Sequence, residues 1–368
     1  MGKTQFVSLA VIATFVATAI SLAACGGGYG GSGGGGGYSS SSSSSAPAGT
    51  AYKSRDLASD VAAPGVNVDA NLKNGWGIAI SPTGVVLITD NAVNLATVYD
   101  DIGTVQPAGL PIPAGSAGPA HPTGIVYNNA VAFSWVFAGV TDRTAFIFAT
   151  EAGTIDVLPA TAAGGVVQVY DGGATAADYK GLAILTGTVN RLYAADFHNK
   201  RIDVFDTNFT RITVAGGFAD AAIPADYAPF NVQAINGQIY VAYAKKDPAS
   251  NNDVAGTGLG YVDVFDSNGV LVKHLVANGA LNAPWGMQLA PANFGPFSNA
   301  LLVGNFGDGK INAYDPATGA MLGTLSKADG SAIVIPGLWG IEFNTNILFY
   351  AAGPGNGAHG AYGRIDLN

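Results

Sequence analysis

The chain has 368 residues, 48 % of them hydrophobic and only 11 % charged, with 52 glycines, 15 tyrosines and 17 phenylalanines. So long and apolar a chain can bury a large core, and its poverty in Glu, Lys and Arg argues against an α-helical protein. Sixteen basic residues against 25 acidic give a net charge of −9 without any basic cluster, which argues against nucleic acid as a partner.

Residues 1–24 read as an export signal: Lys3, an apolar run over 6–20 broken only by Ser and Thr, then Leu22-Ala23-Ala24-Cys25. The segment resembles a bacterial lipoprotein signal with its lipobox. The resemblance implies cleavage before Cys25, its acylation, and attachment to the bacterial membrane. A short transmembrane anchor with an incidental cysteine is the other reading, although the run is near the lower length limit for a span. Cys25 is the only cysteine, so no intramolecular disulfide forms. Gly26, where inner-membrane lipoproteins carry Asp, favours the outer membrane on its periplasmic or surface side. Residues 25–50 are a Gly/Ser-rich tether holding the folded part ~25 Å from the bilayer. Losing Lys3 with the signal leaves a charge of about −10.

Residues 51–368 repeat a unit. Each copy opens on a short strand, at 75–80, 122–127, 179–184, 230–235, 284–289 and 338–343, and in five of the six a glycine stands just inside it. Glycine within a strand marks close approach of backbones. Second strands are expected at 85–89, 145–149, 192–195, 238–242, 300–304 and 347–351, and third strands at 96–99, 153–158, 201–205, 260–265, 310–314 and 361–367. Fourth strands are visible at 166–170, 211–214 and 271–275. Units about 50 residues long with four strands each are propeller blades, so the fold class is all-β, a six-bladed β-propeller. The last copy runs out of chain after its third strand. The spare segment 52–58 is expected to complete it, closing the ring and covering an open edge.

The hairpin LYAADFHNKRIDVFD, from Leu192 to Asp206, resembles an NHL/TolB-like propeller repeat. The order of phrases NGWGIAI, FIFATEAGTIDV, APFNVQ, DVAGTGLGYVDVFD, PWGMQLAP and LWGIEFN resembles a family of exported propellers of PEP-CTERM bacteria, over residues 52–367. This resemblance implies the propeller fold and no particular activity.

Strand parity locates a candidate site. The starts of the first strands share a face with the second-to-third turns. The residues before the glycine position there form a ring: Trp76, Thr123, Lys180, Asn231, Trp285 and Trp339. The turns bearing Asp90, Glu151, Asp196, His198 and Asn305 lie on this face, as do the long connections 245–258 and 353–360. Three tryptophans, a cation, two polar groups and long loops could form a ligand mouth. The same aromatics could instead plug the channel. Asp196, Asn199 and Arg201 are accounted for by turn chemistry, and His198 by solvation.

Four histidines without an HExxH pair, and no cysteine ligand, argue against zinc. Some six-bladed lactonases hold an axial calcium, but here only Asn231 would fit and Lys180 would oppose it. Asp247, Asn251, Asn252 and Asp253 offer calcium-type oxygens without EF-hand spacing, so no cofactor is expected beyond a weak loop calcium. No G-x-S-x-G elbow is present. On the opposite face, Phe133, Trp135, Val136 and Phe137 are apolar enough either to fold under a blade or to form a patch. Three functions follow as expectations: a lipid-anchored envelope module binding a small molecule, glycan or protein; a hydrolase or lyase using the Trp-lined mouth; and an envelope scaffold acting through loop 133–137.

Overall fold

The computed structural model describes residues 50–106, 109–137, 139–161 and 164–368. The signal segment, Cys25 and the tether through residue 49 lie outside the described residues. Among these residues no helix is long and apolar enough to cross a membrane.

Six antiparallel sheets follow one another along the chain, each ordered from its inner strand outward. The inner strands are Gly75–Ile80, Pro122–Tyr127, Tyr179–Leu185, Tyr227–Ile235, Pro284–Leu289 and Leu338–Asn344. The second strands of the first and fifth blades, Val86–Asp90 and Leu301–Asn305, are buried along their whole length. They are apolar on both faces because each blade is sandwiched between two others. The core accordingly divides into six layers, one between each pair of neighbouring blades. A seventh, aromatic cluster sits at the hub.

Ring closure follows the expectation. Tyr52–Ser59 pairs antiparallel with Ala361–Leu367, from Tyr52 opposite Leu367 to Ser59 opposite Ala361, with a bulge between Asp56 and Ala58. Leu57 and Ala58 enter the layer between the sixth and first blades, and the Tyr52 hydroxyl donates to the Phe294 carbonyl at 2.7 Å. The inner-strand glycines are sites of close approach. A Cβ on Gly286 would lie 2.7 Å from the Trp339 carbonyl oxygen, and one on Gly340 would lie 2.7 Å from that of Trp76. The aspartates closing the third strands cap the next turn: Asp206 Oδ1 accepts from the Asn208 and Thr210 amides at 2.9 Å, and Asp266 repeats this on Asn268 and Val270.

The insertion on the opposite face folds under the second and third blades. Ser134–Phe137 pairs antiparallel with the start of the long strand Val140–Thr150, Phe133 is fully buried against Phe209, and Trp135 meets the same ring edge-on. Val131, Val136 and Val140 remain exposed there.

Candidate functional site

Every inner strand carries a register irregularity at its start, where the ring residue stands. Such a bulge turns one side chain out of the ladder. In the third blade the shift between Tyr179 and Gly181 frees Lys180; in the fourth, the shift between Pro229 and Asn231 frees Phe230. The ring member of the fourth blade is therefore Phe230, and Asn231 occupies the glycine position. Its side chain fills the space that Gly181 leaves, and its Nδ2 donates to the Trp285 carbonyl at 2.7 Å.

Trp76, Phe230, Trp285 and Trp339 pack together with Phe197 and partly buried Phe306. Trp339 is sandwiched between Trp76, stacked with ring centroids 3.7 Å apart, and Phe306 at 3.9 Å; Trp285 meets both Trp76 and Trp339 edge-on. The Trp285 indole donates to the Lys180 carbonyl at 3.0 Å and the Trp339 indole to Asn74 Oδ1 at 3.2 Å. These aromatics form a plug across the hub.

A cavity of about 430 Å³ lies against this plug. Trp76, Phe230, Phe306 and Trp339 supply its aromatic wall, and Lys180, Glu151 and Asp253 its charges. Asparagines 74, 91, 251, 252 and 356 line the remainder. The connections 245–258 and 353–360 thus both reach the cavity, as expected. Of the six expected ring residues, Trp76, Lys180 and Trp339 line it. Thr123 does not, being fully buried with its hydroxyl donating to the Tyr179 carbonyl at 2.5 Å. Trp285 and Asn231 face the hub channel instead. Sequence reasoning missed Phe230, Phe306, Asn74 and Asn91; the phrase APFNVQ carried the signal, since it has no glycine to fix its register.

Lys180 is buried and lies 5.7 Å from the centre of the Trp76 ring. Its ammonium pairs with Glu151 and, at 3.2 Å, with Asp178. Burial alone would lower its pKa, but Asp178 and Glu151 together hold it above the usual lysine value. Burial pushes Asp178 up to about 6 against the pull of Lys180. Asp253 is also pushed up to about 6 by burial, with Lys180 opposing. The cavity thus offers an aromatic surface, amides and an internally neutralised cation. Asp247 uses both carboxylate oxygens within its own turn, on the Ala249 amide and the Ser250 hydroxyl, whereas Asp253 faces the cavity.

At the outer edge of the fourth blade, His274 Nδ1 lies 2.9 Å from Asp220 and 2.8 Å from Asp263. Among the described residues this is the group of His and Asp whose ligand atoms could converge on a metal ion. In the Leu192–Asp206 hairpin, Asp196 accepts from the Asn199 amide and side chain and pairs with Arg201 at 3.1 Å, in keeping with turn chemistry.

No protein-family model matches the chain. Two solved structures share its architecture: a streptogramin B lyase structure, 12 % identical with a TM-score of 0.52, covering 88 % of this chain and all of that one; and a structural genomics protein of unknown function from Bacteroides thetaiotaomicron, 11 % identical with a TM-score of 0.55, covering 86 % and 76 %. At that identity they share the fold alone. The sequence relatives include two uncharacterised proteins of Acanthamoeba polyphaga mimivirus. One is 30 % identical over 336 residues, covering 86 % of this chain and 80 % of the viral protein. The other is 33 % identical over 302 residues, covering 79 % and 78 %. At that identity and coverage the chain, a six-bladed β-propeller, belongs to the same family as these mimivirus proteins.

Proposed function

We propose that the protein is an exported binding module whose hub-face cavity takes a neutral, hydroxyl-rich ligand such as the end of a glycan. One observation carries the reading: an aromatic wall formed by Trp76, Phe230, Phe306 and Trp339 is faced by five asparagines in a cavity of about 430 Å³. Aromatic faces pack on the C–H surface of a sugar, and amides supply paired donors and acceptors to its hydroxyls. Binding is favoured over turnover because the cavity's ammonium is already committed to Glu151 and Asp178, and the tryptophans are locked in a packed plug. The hydrolase or lyase alternative would need Lys180 released from Glu151 and Asp178, or a proton moved by Asp253, which faces the cavity.

The lipobox-like Leu22–Cys25 stretch supports anchoring through acylated Cys25 to a bacterial outer membrane, and the order of blade phrases supports kinship with exported propellers of PEP-CTERM bacteria. A scaffold role through 133–137 is less favoured, since Phe133 is buried and Trp135 and Phe137 are partly covered.

Saturation-transfer NMR with a panel of common monosaccharides and disaccharides tests the cavity reading. Transfer to at least one sugar is expected, and it should vanish in Asn252→Ala/Asn356→Ala, a pair on surface loops. A folded protein giving no transfer to any sugar, or equal transfer in the double variant, overturns it.

A further inference from the structure

On the other side of the aromatic plug the hub channel opens into a second cavity of about 230 Å³, to which the glycan reading gives no role. Once Phe230 is taken as the ring residue, the inner strands align, and the third residue after the ring becomes comparable across all six blades. Blades one to three place Ala79, Val126 and Ala183 there; blades four to six place Gln233, Gln288 and Glu342. Of these, Ala79, Val126, Gln233, Gln288 and Glu342 line the cavity, so its polar side chains at that level come from blades four to six. Ile78, Ile125, Leu182, Met287 and Ile341 complete the apolar lining.

The polar half is short of partners. Gln288 Nε2 donates to Glu342 Oε2 at 2.7 Å. Among the described residues no hydrogen bond reaches Glu342 Oε1, Gln288 Oε1 or the Gln233 amide, and no cation pairs with Glu342. Glu342 is half-buried in an apolar channel, and a carboxyl there without a counter-charge is stabilised by a cation that supplies one. With one amide N–H given to Glu342, Gln288 keeps its carbonyl oxygen and a second N–H. Glu342 Oε1 and the Gln288 carbonyl are thus free acceptors on two adjacent blades, and the third residue, Gln233, can present another.

We propose that this channel cavity binds a small primary amine, its ammonium on Glu342, Gln288 and Gln233 and its apolar body against the walls of blades one to three. An ammonium has three donors and no acceptor, which matches that set. The volume exceeds the 150 Å³ cavity that holds a benzene ring, so a one-ring body fits. The acidic surface, at −9 overall, favours arrival of a cation.

Burial pushes the Glu342 carboxyl up to about 8, opposed by its Gln288 hydrogen bond. Among the described residues the other titratable side chain lining the cavity is Tyr127. Near neutral pH the acid is therefore protonated, and an arriving ammonium expels that proton.

Calorimetry with phenethylammonium tests the proposal, using the full-length folded protein and neutral 2-phenylethanol as the isosteric control. One amine per chain is expected, with close to one proton released near pH 7 (read from buffers of different ionisation enthalpy). Affinity should rise between about pH 6 and 8. The alcohol should bind at least ~10-fold more weakly, a gap that a charged hydrogen bond readily supplies, and Glu342→Gln should remove the preference. Equal binding of amine and alcohol overturns the proposal, as does amine binding unchanged in a folded Glu342→Gln, or no binding to a channel that holds water only. The asparagine variants of the other cavity should leave amine binding intact, so the two readings fail independently.

Discussion

Gly181 and Asn231 show how one atom sets the hub. The Asn231 side chain lies where a Cβ on Gly181 would project, so the third blade gives up a side chain to let the fourth have one. Gly181→Ala should cost about 1–3 kcal/mol as an overpacked site, and adding Asn231→Gly should recover part of the loss, since the Asn231 Cα still lies 2.7 Å from the added Cβ; urea denaturation of both variants measures this. A double variant no more stable than the single one would show that the strain lies elsewhere. Glu342 makes a second prediction at this scale. Its folded pKa is raised from 4.5 to about 8, so its contribution to stability is fully present below about 4.5 and lost as pH rises through about 8. Glu342→Gln should therefore match wild type near pH 5 and melt at a higher temperature near pH 9. Parallel melting curves across that range would contradict the buried-acid reading. The sequence hid Glu342 because LWGIEFN reads as a strand with one outward polar residue; only alignment with MQL and VQA places all three polar side chains in the channel.

At the scale of elements, strands packed on both faces were legible from composition, and strands at the rim were not. The second and third strands of the blades fall where apolar runs place them. The outer strands Leu110–Pro111 and Met321–Thr324 escaped notice because one is two residues long and the other is largely exposed with Gly323 inside it. Neither has a periodicity to read. Strand Tyr52–Ser59 was legible because the sixth copy lacked a partner. Removing residues through Ser59 would leave Ala361–Leu367 as a bare edge and open the layer that holds Leu57 and Ala58. Such a protein should melt at a clearly lower temperature and elute as dimers or larger species on size exclusion. A monomer with an unchanged melting temperature would mean that the ring does not depend on this closure.

For the whole molecule, parity of the meander assigned faces correctly, and two long loops were rightly sent to the hub-face cavity. What parity could not supply was packing: whether three tryptophans leave a gap or fill it depends on ring orientation, and here they fill it. The plug divides the hub into two separate cavities, one lined by asparagines and aromatics, the other by an acid and two amides. Anchoring belongs to this scale as well. Cys25→Ser is expected to abolish acylation, seen as a missing lipid mass, and to shift the protein from membrane to soluble fractions. Unchanged mass and fractionation would remove the lipobox reading while leaving both cavities untouched.

The pairing of Tyr52 with Leu367 also sets a clock. Tyr52–Ser59 is made before all six inner strands and is matched only by Ala361–Leu367, made after five blades, so those five can form while the sixth still lacks its middle. Contacts at nearly maximal sequence separation form late and slowly, and a nascent chain waiting for them exposes both an unpaired strand and an uncovered apolar layer. An unpaired edge and an open apolar layer are the surfaces a holding chaperone would cover until the two strands meet.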